Sequence, residues 1–220
     1  MIIIFACAHN IQYGISSMSF VCNTMPFHPQ RLAMIMSGFG DYGSALETFK
    51  SRDKKGDDDV EEVTTSSYHH NDVFKGVIRT KGHVWLANAN AFPIHLHTAG
   101  TQVHMRPSEQ PFLVEIKNKM ETKGFPDDAP DHEKETLVSW VGSRHKKLCE
   151  DGLWSEEWGD RRSQLVFIGV GLDKTKMCMW LTQALVTEEE TKAMGGMENW
   201  KNLEDPFYNG NIAAAHFSVA

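Results

Sequence analysis

The chain has 220 residues, 41% of them apolar, and a formal net charge of −7. That apolar share is enough for a core, which excludes a wholly disordered chain, and the acidic balance argues against a nucleic-acid-binding surface. No run approaches the roughly 18 apolar residues that suggest a membrane span, so neither membrane nor nucleic acid is an expected partner. The length fits one large domain or one domain with tails. Four cysteines, Cys7, Cys22, Cys149 and Cys178, form no CxxC pair and point to a reducing compartment, with the cytoplasm expected.

The apolar opening Met1–Ala8 lacks a basic leader. It reads as a terminal strand or as the remnant of a longer parent chain, within an N-terminal tail of residues 1–13. Ile15–Cys22 is rich in strand formers and reads as a buried strand. Pro26–Pro29 breaks it, and Pro29 stands where a first-turn proline belongs. The helix that follows places Leu32, Ile35, Met36 and Phe39 on one face. Ser51–His70 is charged, small and polar, and is expected as a mobile loop inside an insertion at about 48–72. Val73–Leu86 predicts one or two strands, with Gly82 marking a bulge or bend. Asn88–Pro93 is a turn, Ile94–Met105 holds two short strands around Ala99-Gly100, and Phe112–Ile116 reads as a further strand.

A loop at Lys123–Pro130 leads into a helix over Asp131–Glu150, with Leu137, Trp140, Val141 and Leu148 sharing a face and Gly152 ending it. Gln164–Val170 is almost continuously apolar, as expected of a central strand buried on both faces, with Phe167 on one side and Ile168 on the other. Asp173 can cap the next helix, where Met177, Trp180, Leu181, Ala184 and Leu185 recur at helical spacing. Thr187 and Glu190 make a capping box, and Gly195-Gly196 stops that last helix. The order predicts an α+β fold: one mainly antiparallel sheet with helices packed on it, related to the ferredoxin-like plan. Residues 14–207 form that domain and 208–220 a C-terminal tail.

Chemistry-bearing residues are few. His95 and His97 point the same way from an extended segment, and His104 faces them from a paired strand across the Ala99-Gly100 turn. Three imidazoles at that reach would suit zinc; the bland alternative is three solvated strand histidines among the 11 of the chain. A second pair, His69-His70, lies in the polar insertion. Trp85, Trp140 and Trp180 read as core, Trp154 and Trp158 as cover for a sheet edge, and Cys22 and Cys178 as buried small hydrophobes. Asp57–Glu62 reads as a solvated acidic run. No G-x-x-x-x-G-K-[ST], G-x-S-x-G or H-E-x-x-H motif occurs, so no catalytic residue is expected.

Six phrases in order carry a resemblance: Gly14–Phe20, Pro26–Leu32, Val77–Leu86, Gly159–Gly169, Leu181–Glu189, and Trp200 followed by Asp205–Phe207. Together they resemble the C-terminal domain of the CobW family, P-loop GTPases regarded as metallochaperones and often linked to zinc. The resemblance implies an accessory module in zinc homeostasis that docks a client protein or a separate GTPase domain, or handles metal itself. Without a P-loop or the family's Cys-x-Cys-Cys motif, no GTP binding or hydrolysis is carried over to this polypeptide. Arg79, Lys81, Asp160, Arg161 and Arg162 fall on hallmark positions, serving either as a salt-bridge set at the sheet end or as a docking surface. Two alternatives stand beside that reading: a fragment of a longer GTP-dependent zinc chaperone, and an unrelated metalloenzyme with a histidine site.

Overall fold

A computed structural model describes residues 2–5, 14–39, 73–126 and 128–207. Among these residues six strands form one antiparallel sheet: β1 (Ile2–Phe5), β2 (Ile15–Cys22), β3 (Val77–Val84), β4 (Ile94–Ala99), β5 (Gln102–Pro107) and β6 (Ser163–Val170). Their spatial order is β1-β2-β6-β3-β4-β5. Among the described residues they are accompanied by helices α1 (Pro29–Met36), α2 (Leu113–Lys123), α3 (Asp131–Glu150), α4 (Lys174–Gln183) and α5 (Glu188–Ala193). The fold is the α+β arrangement expected. β2 and β3 are both antiparallel to β6 and hence parallel to each other, so the β2–α1–β3 crossover is split by an inserted strand, as in ferredoxin-like plans. The insertion at about 48–72, with Asp57–Glu62 and His69-His70, lies outside the described residues.

Local chemistry accounts for the elements. Pro29 occupies the first turn of α1, Asp173 accepts the Lys176 N–H to cap α4, and Thr187 with Glu190 forms the capping box of α5. Alternation along the strands sends Met18, Phe20, Cys22, Val77, Val84, Ile94, Leu96, Leu165 and Phe167 to one face. There they meet Leu32, Ile35, Met36 and Phe39 from the α1 region and Met177, Leu181, Ala184 and Leu185 from the α4 region. A second cluster joins Trp85, Trp158 and Trp200 at the sheet end, and a third holds Leu113, Val141 and Leu148 where α2 meets α3.

Several expectations are corrected. β6 is not buried on both faces: Leu165 and Phe167 are fully covered, whereas Val166 is 36% and Ile168 39% exposed. An apolar run cannot by itself distinguish a two-sided from a one-sided strand; that depends on which elements cover the sheet. Phe112–Ile116 begins helix α2 instead of forming a strand. Its apolar residues pack on the Trp158 and Val141 clusters rather than entering the sheet. On α3 only Val141 and Leu148 are buried and Trp140 is 42% exposed, because a narrow stripe one heptad apart suffices against α2. The irregularity in β3 is a register shift between Val77 and Arg79, not at Gly82. Gly82, at φ 154°, lies against the Gln164 carbonyl, where a Cβ has no room. Trp158 is core, stacked on Trp200 with ring centroids 6.0 Å apart, and Cys178 is half-buried.

The two sides of β6 give a direct test. Phe167 packs its ring 6.2 Å from those of both Phe39 and Phe74. Phe167→Ala is expected to cost about 3–5 kcal/mol, as for other buried aromatics. Ile168→Ala, on the uncovered side, is expected to cost less than about 1 kcal/mol. Urea unfolding of both variants measures the pair.

Candidate functional site

On the face of the sheet opposite the main core cluster Val166 and Ile168 remain 36% and 39% exposed, and pairing register arranges the side chains in rows. One row runs Ser19, Val166, Lys81, His97, His104 from β2 to β5. The next runs Val21, Gln164, His83, His95, Arg106, and a third runs Ser17, Ile168, Arg79, Ala99, Gln102. Arg79, Lys81, His95, His97, His104 and Arg106 are all exposed. Neither aspartate nor glutamate stands in these rows.

The three histidines expected as zinc ligands therefore do share a face, with His97 directly opposite His104 and His95 two residues along β4. Their neighbours on the face are cationic. The Arg79 guanidinium donates to His97 Nε2 at 3.2 Å, which occupies the ring lone pair that a metal would need. Lys81 is the β3 partner of His97, and Arg106 is the β5 partner of His95. Cations at these positions oppose a dication and leave no carboxylate to offset its charge. Among the described residues no group of three or more His, Cys, Asp or Glu is placed to hold a metal ion.

His83 was not singled out by sequence. Burial, reinforced by Arg162 and then His95, holds its imidazole at about 4, with Asp160 pulling the other way. It is thus neutral at pH 7, and the permanent positive charge of the rows rests on Arg79, Lys81 and Arg106. Arg162 borders them, half-buried, with Nη1 enclosed and without a hydrogen-bond acceptor. Burial works against its charge, Asp160 supports it and Arg144 of α3 opposes it.

Asp160 and Arg161 serve a different end. The Asp160 carboxylate accepts the backbone N–H groups of Leu113 at 2.9 Å and Val114 at 3.0 Å, capping α2 from a remote loop. Arg161 is buried and donates to the carbonyls of Asn90 and Trp158, both at 3.1 Å, and to the Glu115 carboxylate in the first turn of α2. Gly159, at φ 65°, leaves room for Val114 where any side chain would clash. Gly159–Arg161 is thus a lock between α2 and the sheet end. Its partner was invisible in the sequence because Phe112–Ile116 read as a strand. The five expected hallmark residues accordingly divide: Arg79 and Lys81 lie in the open face, Arg162 at its border, and Asp160 and Arg161 in the lock with α2. Asp160→Ala leaves two helix N–H groups without partners and is expected to destabilise by about 1–3 kcal/mol, read from urea unfolding.

The family model described as cobalamin synthesis protein cobW C-terminal domain matches residues 15–185. Curated relatives include a Mycobacterium tuberculosis protein named zinc chaperone Rv0106 and the uncharacterised Mb0109 of Mycobacterium bovis. Each is 24% identical over 132 residues, covering 60% of this chain and 28% of the relative. The chain therefore spans little more than a quarter of the length of the curated relatives it matches. Among solved structures, Zn(II)-bound YjiA GTPase from E. coli aligns over 79% of this chain and 30% of its own, at 12% identity and a TM-score of 0.36. That likeness is too distant to support an argument.

Proposed function

We propose that this chain, which belongs to the CobW C-terminal domain family, is a non-catalytic docking module in zinc homeostasis, binding a client protein or a CobW-family GTPase domain through the open face of its sheet. The observation that carries the reading is the uncovered face itself. Val166 and Ile168 are left about a third exposed at the centre of the sheet, with Arg79 and Lys81 beside them on β3. A strand that places apolar side chains on an uncovered face is the pattern expected of a surface that a partner completes. The name of the mycobacterial zinc chaperone supports the zinc context. The described residues hold no helix long and apolar enough to cross a membrane.

The test is calorimetric titration of the chain with a CobW-family GTPase from the same genome, expressed without its own C-terminal domain. Micromolar binding is expected, with at least a tenfold loss for Val166→Asn/Ile168→Asn and no saturable binding of a fluorescent GTP analogue by the chain alone. Absence of partner binding, or an unchanged affinity in the double variant, overturns the docking reading.

On this reading zinc handling belongs to the assembled complex, not to His95, His97 and His104. The Arg79 hydrogen bond to His97 and the neighbouring Lys81 and Arg106 support that placement. Zinc titration is expected to give the same isotherm for the parent and for His95→Ala/His97→Ala. Loss of a binding event in the variant would return the three histidines to the role of zinc ligands.

A further inference from the structure

We propose that the open face takes an acidic segment of a partner protein, whose carboxylates pair with Arg79, Lys81 and Arg106 while its apolar side chains lie on Val166 and Ile168. The proposal rests on the docking reading and adds the chemistry of the partner.

The sign of the face is the first argument. The whole chain carries 29 acidic against 22 basic residues, yet the three cross-strand rows contain only cations, histidines and uncharged residues. The nearby carboxylate that borders them, Asp160, is already committed to the α2 N-terminus. A like-charged partner would meet uncompensated guanidinium and ammonium groups, whereas a carboxylate-rich one completes them.

Spacing is the second. Arg79 and Lys81 are two residues apart on one face of β3, about 6.5–7 Å along the strand. Alternate carboxylates of an extended segment have the same repeat, so two consecutive ones on one face can reach both cations. Arg106 lies two strands away on β5, roughly 9.5 Å across the sheet, within reach of a third acidic side chain. Arg79 is also held across the face by its bond to His97, so less side-chain freedom is lost on pairing.

Apolar neighbours of the cations favour protein over other polyanions. Val166 lies between Ser19 and Lys81, and Ile168 between Ser17 and Arg79, so the cations stand directly against apolar surface. Covering Val166 and Ile168 removes water from those pairs and strengthens them. From β2 to β5 the rows hold no phenylalanine, tyrosine or tryptophan, and of their four imidazoles His97 is already engaged by Arg79, so the face favours apolar and ionic contact over base stacking.

Fluorescence anisotropy tests the proposal with a fluorescein-labelled twelve-residue peptide of alternating glutamate and valine. A lysine–valine peptide and a single-stranded oligonucleotide of equal charge serve as competitors. The acidic peptide is expected to bind the parent, to weaken at least tenfold with Arg79→Glu/Arg106→Glu, and to weaken as salt is raised. The lysine–valine peptide is expected to bind that reversed variant and not the parent. Circular dichroism confirms that the variant is folded, and Lys81→Glu alone supplies a second charge change. Equal binding of the acidic peptide by parent and variant overturns the proposal, and so does tighter binding of the oligonucleotide. Repeating the GTPase titration separates the two levels. Loss with Val166→Asn/Ile168→Asn but not with Arg79→Glu/Arg106→Glu keeps the docking reading and removes the acidic partner. Insensitivity to both removes the docking reading itself.

Discussion

β6 hydrogen-bonds to β2 on one side and to β3 on the other, and these two strands meet in one sheet only through it. The β2–β6 ladder runs in unbroken register from Ile15 opposite Val170 to Cys22 opposite Ser163. It joins segments from opposite ends of the chain, so its loop-closure cost falls before the ladder rewards it. That cost is met by burial on a single face, where Leu165 and Phe167 enter the core with Met18 and Phe20 of β2. The approach of β3 on the other flank needs Gly82, since a side chain there would run into the Gln164 carbonyl.

The ends of this sheet are tied by two loops with different chemistry. At Pro26–Pro29 the backbone forms the tie. The Phe27 N–H donates to the Trp85 carbonyl at 2.8 Å, the Ala87 N–H to the Phe27 carbonyl at 3.0 Å, and the His28 N–H to the Ala184 carbonyl at 2.8 Å. Arg31, one turn on, makes two hydrogen bonds to Glu190, at 2.9 and 2.7 Å, and one to the Leu185 carbonyl. Glu190 also closes the capping box of α5 by accepting the Thr187 N–H. Burial pushes its carboxyl up, but the Arg31 hydrogen bonds and the Thr187 N–H outweigh that and leave it below its ordinary range. The second loop, Gly159–Arg161, uses side chains to fix α2. The helical cover and the sheet are thus registered by polar contacts at the rims, while the apolar centre supplies the bulk of the burial.

This construction divides the sheet into two chemical faces. The helix-covered face is apolar. The open face carries arginine, lysine and histidine beside Val166 and Ile168, in a chain whose net charge is negative. Lysine and arginine beside apolar residues keep an exposed sheet face soluble and still leave it a surface that a complementary partner can dry. His83 is the exception in that set, since burial keeps it neutral and makes it part of the packing.

Local patterns in the sequence were enough to determine the α+β class, the α1 proline, the caps at Asp173 and Thr187, the β4–β5 hairpin and the apolar face of α1. Each of these depends on residues a few positions apart, so short-range periodicity and capping chemistry specify them. The shared face of His95, His97 and His104 was legible for the same reason. Tertiary structure alone decided the rest. β6 and Phe112–Ile116 show similar apolar runs, yet one is a half-covered strand and the other the start of a helix, because coverage and the remote Asp160 cap are not written locally. Arg79 lies 18 positions before His97, and only the β3–β4 register places its guanidinium on the ring nitrogen that a zinc ion would need. Whether a histidine faces a metal or a cation is a property of neighbours across the sheet, and strand pairing sets those neighbours over distances that no local pattern spans.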